Sequence, residues 1–198
     1  MHQRGCGMYY DLNRFVNLSI LLSAQVESNK LFEVILKEAM MIGNCDAGTI
    51  YLFEDNALHF KHVITKSQKV SFGPDTGADS IPPVPMSGSY VCAYATMQKK
   101  RLNIPDVYKS SQFDFSGTKQ YDKMNNYHTG SMLVVPMAVG NDPVTGVIQL
   151  INAMDEKGNL LDSNGNTVKF DTEQEHLVTA LGSVSALFIE NRRLKGTL

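Results

Sequence analysis

The spacing of apolar residues changes part-way along this 198-residue chain, and the change limits the possible folds more than any other feature. Residues 11–27 carry apolar side chains at steps of three and four, the spacing of a bundle or coiled-coil helix, and residues 30–42 predict a second helix. Residues 47–54 and 57–65 then alternate polar and apolar positions around the turn Asp55-Asn56, which predicts a β-hairpin. Helices must therefore share the fold with antiparallel strands.

The second half of the chain contains another hairpin and a final helix. Residues 131–139 and 144–152 have the character of strands and are separated by a Gly-Asn-Asp-Pro turn. The final helix is predicted to begin at Asp171, because Gln174 stands three residues later, as a capping box requires. This order predicts an α+β fold with one central antiparallel sheet. The terminal helices are expected to pack on one face of the sheet, and the long insertions are expected to cover the other.

The insertions lie between the two hairpins. Residues 67–86 predict a long loop, Ser87 is placed to cap a short helix, and residues 101–107 predict a short strand. The segment FDFSGTKQYDKMNNYHT at 113–129 is too polar for a core and too aromatic for an ordinary solvated loop. We therefore expect it to fold over another part of the protein.

Composition and charge argue against several classes of protein. Hydrophobic residues make up 43% of the chain, which is enough for a packed core, and a net charge of −2 without a run of lysine or arginine gives no sign of nucleic-acid binding. No apolar run approaches the roughly 20 residues of a membrane helix, and the N-terminus lacks the apolar centre of a signal peptide. We expect a cytoplasmic protein with no membrane or nucleic-acid partner.

The cysteines and histidines predict neither a disulfide framework nor a metal site. Cys6, Cys45 and Cys92 are odd in number and have no CxxC spacing, and the last two are predicted to be small buried side chains. His59 and His62 are three residues apart on a predicted strand. We expect them on opposite faces, where they cannot share a metal ion.

Three phrases of the sequence resemble a known family. RLNIPDVY (101–108), SMLVVPMAVGNDPVTGVIQLIN (131–152) and KFDTEQE (169–175), with the order of elements, resemble a GAF domain. GAF domains are small-molecule sensor modules of cyclic nucleotide phosphodiesterases, adenylate cyclases, phytochromes and bacterial signalling proteins. The resemblance covers residues 12–192, so residues 1–11 would be an N-terminal extension and residues 193–198 the start of a C-terminal linker helix.

Part of the resemblance is to the branch of GAF domains that binds cyclic nucleotides. The positions that match this branch are Asp122, Tyr127, Thr129, Pro136, Asn152, Phe170 and Glu175. Asn125-Asn126 replaces a Thr-Gly pair, and Ala153 and Gln174 replace a Lys and an Asp that form a structural salt bridge in that branch. The phrase FDFSGTKQYD looks most like GAF domains that precede bacterial HD-GYP phosphohydrolases, diguanylate cyclases or adenylate cyclases.

The resemblance implies a regulatory sensor domain of a multidomain signalling protein, without catalysis of its own and with its C-terminal effector domain absent from this chain. The ligand would be a small molecule such as a cyclic nucleotide, cAMP or cGMP, held under a lid formed by residues 113–129. Binding would shift the terminal helices, which we expect to form a homodimer. The dimer would use two apolar seams: Leu12, Phe15, Ser19, Leu22 and Val26, and then Leu177, Leu181, Val184 and Phe188.

The candidate ligand-binding residues each have a structural alternative. Ser87 and its neighbours could hold a phosphate at a helix N-terminus or simply cap the helix. Gln149 could read the edge of a base or bond the lid. Tyr127 and Thr129 could contact ligand or close a turn, and the two lid phenylalanines could stack on a flat ligand or form the lid's own core. The full set is Ser87, Gly88, Ser89, Ile104, Asp106, Phe113, Phe115, Asp122, Tyr127, Thr129 and Gln149.

Two other functions stay open. The first is a structural dimerisation module with an empty or self-filled pocket. The second is a methionine sulfoxide reductase, since some stand-alone GAF proteins have that activity. Those enzymes use several cysteines in the pocket loops, whereas here Cys92 is the cysteine near that region.

Overall fold

The structure is a computed structural model and describes residues 28–198. Its helices are α1 (Ser28–Ile42), α2 (Val91–Gln98), α3 (Ser116–Asn125) and α4 (Thr172–Leu194). Its strands are β1 (Cys45–Glu54), β2 (Ala57–Thr65), β3 (Val70–Phe72), β4 (Val84–Pro85), β5 (Leu102–Ile104), β6 (Met132–Met137) and β7 (Gly146–Ala153). The helix expected over residues 11–27, with its seam, lies outside the described residues.

The strands form one antiparallel sheet in the order β3-β2-β1-β7-β6-β5, with β4 also paired to β2. The two hairpins expected from the sequence are β1-β2 and β6-β7. Asp55 and Asn56 form the first hairpin turn with φ of 48° and 57°, a left-handed conformation that Asp and Asn tolerate better than most residues. The predicted α+β class with a central antiparallel sheet is confirmed.

Helices α1 and α4 cover one face of the sheet. Their apolar stripes meet strand residues of one parity, such as Ile50 and Leu52 on β1 and Ile148 and Leu150 on β7, and all of these side chains are buried in one core. The helix residues of this core include Leu31, Phe32, Ile35, Leu36, Val178, Leu181, Ala186 and Ile189. The prediction that terminal helices pack on one face is confirmed for α1 and α4.

The start of α4 follows the predicted capping box. Asp171 Oδ1 accepts from the Gln174 N–H at 2.8 Å, and the Asp171 N–H donates to Gln174 Oε1 at 2.9 Å. Gln174 Nε2 also donates to the carbonyl of Gly43 at 3.1 Å, just beyond α1. The helix ends at Leu194, so only the first two residues of 193–198 are helical.

A β-bulge in β2 changes which residues share a face. Tyr51 pairs with Phe60 and Ile50 with His62, which leaves Lys61 without a partner in the ladder. His59 pairs with Leu52, so His59 and His62 both lie on the face of α1 and α4. The prediction that the two histidines face opposite sides was wrong, because it assumed unbroken alternation along the strand.

The insertions cover the other face of the sheet, and they are more regular than the sequence suggested. Residues 67–86 contain β3, β4 and two short 3-10 turns, Pro74–Thr76 and Ala78–Ser80. Helix α2 begins at Val91 with Tyr90 as its N-cap, so the prediction that Ser87 caps it was wrong. The segment 113–129 contains α3, which the mixed polar and aromatic pattern did not reveal. Within residues 28–198, no helix combines the length and the apolar character needed to cross a membrane.

Candidate functional site

A cavity of about 420 Å³ lies between the sheet and the insertions that cross it. Strands β1, β2 and β7 form its floor, and residues at the starts of α2 and α3 form its walls. The segment 113–129 therefore does fold over another part of the protein. Between this segment and the sheet lies a space of the size that binds small-molecule ligands in other proteins. We refer to 113–129 as the lid.

The lining is mostly aromatic and aliphatic. Its aromatic residues are Tyr51, Phe60, Phe72, Tyr90, Phe115, Tyr121 and Tyr127. Polar groups come from threonines on the strands and the lid, from Gln149, and from Asp114 at the start of α3. Asp114 Oδ1 accepts from the Ser116 N–H at 2.9 Å, and hydrogen bonding by Ser116 holds the pKa of the Asp114 carboxyl below its usual range. The cavity thus combines flat apolar walls with a few fixed polar groups.

Gln149 lies at the centre of the floor, on the same face of β7 as Val147 and Ile151. Its Oε1 accepts from the Tyr51 hydroxyl at 2.8 Å, and its Nε2 lies 3.1 Å from Met132 Sδ. A thioether sulfur is a weak acceptor, so the amide oxygen has a strong partner and the amide nitrogen has a poor one. Tyr51 is itself packed against Phe60, with ring centroids 4.7 Å apart, so the pair is held rigidly.

The lid is fixed at its end by a buried carboxylate. Asp122, near the end of α3, accepts from the Thr129 N–H at 2.8 Å and from Thr129 Oγ1 at 2.9 Å. The Tyr108 hydroxyl donates to the same carboxylate at 3.0 Å. Asp122 is only 2% exposed, so these donors replace the water that the charge would otherwise require.

A second network joins the lid to the start of β1. The Tyr127 hydroxyl donates to Asp46 Oδ2 at 2.8 Å and lies 3.0 Å from Asn152 Nδ2. Ser67 donates to Asp46 through both its N–H and its hydroxyl. Burial, with the Asp46 carboxylate beside it, raises the pKa of the Tyr127 hydroxyl well above its usual range, so Tyr127 stays a neutral donor.

The structure gathers four of the predicted site residues around the cavity: Phe115, Tyr127, Thr129 and Gln149. Three further predicted residues lie outside the lining but pack against or bond the residues that form it. Asp122 anchors Thr129, while Phe113 and Ile104 are buried in the core on this side of the sheet. Asp106 is outside the lining and accepts from the N–H groups of Tyr108 and Lys109 in a turn.

Ser87, Gly88 and Ser89 lie in the turn that precedes α2. The Ser89 N–H donates to Ser87 Oγ, and the N–H of Tyr90 donates to the Ser87 carbonyl. Because the helix begins at Val91, these three residues do not supply a helix N-terminus for phosphate. Tyr90, Val91 and Cys92 are the residues of this region that line the cavity.

Sequence reasoning missed Tyr51, Tyr121 and Asp46. Tyr51 could have been found, because it shares the parity of Thr49 on a correctly predicted strand, and Thr49 also lines the cavity. Tyr121 lies on α3, which was not predicted. Asp46 is joined to Tyr127 across 81 residues of sequence, and no local pattern reports such a pair.

The cysteines of residues 28–198 are Cys45 and Cys92. Cys45 and Cys92 are buried, as predicted, and burial raises the pKa of each thiol to about 12, so each is protonated at neutral pH. Among the described residues, no cluster of three or more His, Cys, Asp and Glu side chains could hold a metal ion.

Comparison with known proteins agrees with this architecture. The family model for the GAF domain matches residues 27–189. The GAF domain of a phosphoenolpyruvate-protein phosphotransferase from Coxiella burnetii superposes with a TM-score of 0.69 at 12% identity, covering 95% of this chain and 97% of that one. The GAF domain of A. aeolicus nlh2 in an inactive state gives a TM-score of 0.61 at 18% identity, covering 92% and 96%.

A GAF domain/HD domain protein from Geobacter sulfurreducens is also similar, with a TM-score of 0.60 at 14% identity and coverage of 87% of this chain and 98% of that one. At these identities the superpositions establish the fold alone. GAF domains are in general regulatory, small-molecule sensory domains rather than catalytic ones. The family match over most of the length, the sheet order and the lid-covered cavity show together that this chain belongs to the GAF domain family.

Proposed function

We propose that this domain senses a small, flat ligand that binds in the cavity between the sheet and the lid. The observation that carries the proposal is the cavity itself, which has a suitable volume, aromatic walls and a rigidly held amide on its floor. A core that had no ligand to hold would be expected to close such a space, because close packing is the rule in protein interiors.

Cyclic nucleotides are one candidate class, suggested by the sequence resemblance. A purine would fit between the aromatic walls, with its edge towards Gln149. The first turns of α2 and α3 border the cavity at Val91, Cys92, Gly117 and Thr118. Helix N-termini offer N–H groups without intrahelical partners, and these groups attract phosphate. Cyclic AMP and cyclic GMP are therefore natural first ligands to test.

The lid network offers a route from the cavity to the terminal helices. Tyr127 lines the cavity and donates to Asp46, which lies four residues beyond the end of α1. Gln174 in the first turn of α4 holds the carbonyl of Gly43. A ligand that moves Tyr127 would thus act where both helices meet the sheet, provided that it binds the two positions of the lid with different affinities.

The output of the domain is proposed to lie beyond it. We propose that the terminal helices form a homodimer in the cytoplasm and pass the signal to a C-terminal effector of the HD-GYP, diguanylate cyclase or adenylate cyclase kind. The sequence of the lid supports this family of outputs. A structural dimerisation module is the competing proposal, and in it the cavity stays empty or is filled by the protein's own side chains.

Native mass spectrometry of protein purified gently from cells tests the sensor proposal. Val63→Trp fills the cavity from β2, and Gln98→Trp adds the same side chain at an exposed position of α2 as a matched control. Wild type and the control should retain a small molecule that Val63→Trp loses while it keeps a native circular dichroism spectrum.

If wild type retains nothing, a thermal-shift screen of small flat ligands, cyclic nucleotides included, decides the question. A ligand at 100 times its dissociation constant stabilises the fold by about 2.7 kcal/mol. A screen in which no compound stabilises wild type more than Val63→Trp would favour the dimerisation module.

A further inference from the structure

The charge of the cavity lining separates the possible ligands. Among residues 28–198, no lysine, arginine or histidine side chain lines the cavity, and Asp114 brings its carboxylate to one wall. An anion that leaves water for this space loses its hydration and meets no side-chain cation in return, which is costly for a buried charge. The side chains of the lining therefore disfavour a ligand with a negative charge.

The start of α3 is also less available to an anion than a bare helix N-terminus. The Asp114 carboxylate already accepts the N–H of Ser116 at 2.9 Å. A phosphate at this end of the helix would have to displace that carboxylate or approach it closely, and like charges repel. The Ser116 N–H at this wall therefore already has an acceptor and needs no anion from a ligand.

The floor favours a ligand of a particular hydrogen-bonding type. The Tyr51 hydroxyl donates to Gln149 Oε1, while within residues 28–198 the one partner of Gln149 Nε2 is the sulfur of Met132. The reverse orientation of the amide would place its oxygen against the Met132 sulfur, which has no proton to donate, so the orientation with Oε1 towards Tyr51 is favoured. What the floor lacks is an acceptor for the amide N–H.

We propose that the cavity takes an uncharged, flat molecule that presents a hydrogen-bond acceptor, such as a carbonyl oxygen or ring nitrogen, to the Gln149 amide. The proposal rests on the proposed function, because it names the ligand class for the same cavity. Tyr51 and Met132 act in it as specificity-determining residues, because together they favour the orientation in which the amide oxygen faces Tyr51 and the amide nitrogen keeps a hydrogen for the ligand. Cyclic nucleotides, which carry a phosphate, become the weaker class.

Matched fluorescent probes test the charge. N-phenylnaphthylamine and anilinonaphthalene sulfonate share one aromatic skeleton and differ by a sulfonate, and both brighten in apolar sites. At low salt, the uncharged probe should bind wild type at least about tenfold more tightly than the sulfonate. Asp114→Asn should reduce the ratio of the two dissociation constants, and Gln98→Trp should leave that ratio unchanged. Equal affinity of wild type for the two probes would overturn the charge selection.

A third probe tests the acceptor. Propionyl-dimethylaminonaphthalene is uncharged and carries a carbonyl group whose emission shifts to longer wavelength on hydrogen bonding. Gln149→Met keeps the volume of the side chain and removes its donor. It should lower the affinity for the carbonyl probe about fivefold and leave the affinity for N-phenylnaphthylamine unchanged. Weakening of both probes alike would show that Gln149 only shapes the floor, and would overturn this part of the proposal.

The two proposals fail in different ways. Val63→Trp should abolish the binding of every probe, which shows that the signals come from the cavity. If none of the probes binds wild type better than Val63→Trp, the cavity is not a ligand site and the sensor function fails with it. If the sulfonate binds in the cavity as tightly as its uncharged counterpart, the sensor function stands and the selection of an uncharged ligand fails.

Discussion

Single residues hold the lid in its place over the cavity. Asp122 is the clearest case, because one buried carboxylate accepts from the backbone and side chain of Thr129 and from Tyr108. The resemblance placed Asp122 among the ligand contacts, whereas the structure gives its oxygens three protein donors. Sequence comparison can mark such a position as part of a pattern, but only the fold shows which groups its charge meets.

Asp122→Ala should lower the free energy of unfolding by about 3 kcal/mol, since it leaves buried donors without an acceptor. Urea unfolding followed by circular dichroism measures this. Asp79→Ala removes an exposed carboxylate from a 3-10 turn and should change the stability by less than about 0.5 kcal/mol. A loss for Asp122→Ala as small as that of the control would mean that the lid does not need this anchor.

His62 should make the stability depend on pH near neutrality. It is 6% exposed, and burial lowers its pKa below 6.5 although the Glu33 carboxylate on α1 partly opposes this and Lys37 adds to it. The unfolded chain therefore binds the proton more readily, so stability is full above about pH 6.5 and falls as the pH drops below it.

Urea unfolding at about pH 7.5 and about pH 5.5 should show this loss in wild type and a smaller loss in His62→Gln. The carboxylates with lowered pKa values, such as Glu33 and Glu54, titrate below this range. Their contribution to the pH dependence is therefore the same in wild type and in His62→Gln. An identical loss in the two proteins would assign the pH dependence to other groups.

At the scale of elements, regular patterns were predictable and interruptions were not. The hairpins, α1 and the capping box of α4 follow from local spacing, and each was placed within a few residues. The bulge at Lys61 could not be predicted, because one extra residue hardly changes the composition of a strand. It nevertheless moves every later side chain of that strand to the opposite face of the sheet. Helix α3 was missed because it has no apolar stripe: Tyr121 is its one aromatic residue, and its buried side chain is the charged Asp122.

The bulge predicts different results for two deletions in β2. Deleting Lys61 would join Phe60 to His62 and keep every pair of the ladder, so we expect a folded protein with modestly reduced stability. Deleting Val63 would turn Ile64 from the α1 and α4 core towards the cavity, so we expect failure to fold or a far larger loss. Thermal melts of both variants test this, and equal effects would contradict the assigned register.

The lid should be the most easily opened element in the absence of ligand. Helix α3 has few backbone neighbours in other elements, whereas β6 lies between two strands. Hydrogen exchange should therefore be faster for residues 109–128 and 67–83 than for residues 132–137. Equal protection of these regions would show that the lid does not move on its own.

At the scale of the whole molecule, the surface of α4 bears on assembly. The seam expected from the sequence is largely used within the chain, since Leu181 is fully buried and Val184 and Phe188 pack against the same core. Leu187 and Leu194, two turns apart on the same helix, are 56% and 88% exposed. If α4 pairs with a second copy, these two residues are the apolar positions that remain for it.

Sedimentation equilibrium at micromolar concentration should show a dimer of the full chain. Leu187→Glu should raise the dissociation constant of the dimer by about tenfold or more, because it places a charge at one of the two exposed apolar positions of α4. Leu161→Glu, which makes the same change at a 53% exposed position outside α4, is the control. A monomeric wild type would remove the dimer from the proposed mechanism, and an unaffected dimer in Leu187→Glu would place the contact elsewhere.

The alternation of side chains along the central strands has a consequence for how such a domain can change. On β1 and β7, odd-numbered positions such as Thr49, Tyr51 and Gln149 line the cavity, while even-numbered ones such as Ile50 and Leu150 pack under the terminal helices. In the proposed mechanism, the residues that would contact a ligand and the residues that would pass on the signal therefore alternate along the same strands. Substitutions confined to the odd-numbered positions would then change which ligand the cavity binds and leave the packing under the terminal helices as it is. The same rule would let a designer give the domain a new ligand without changing how its helices pack.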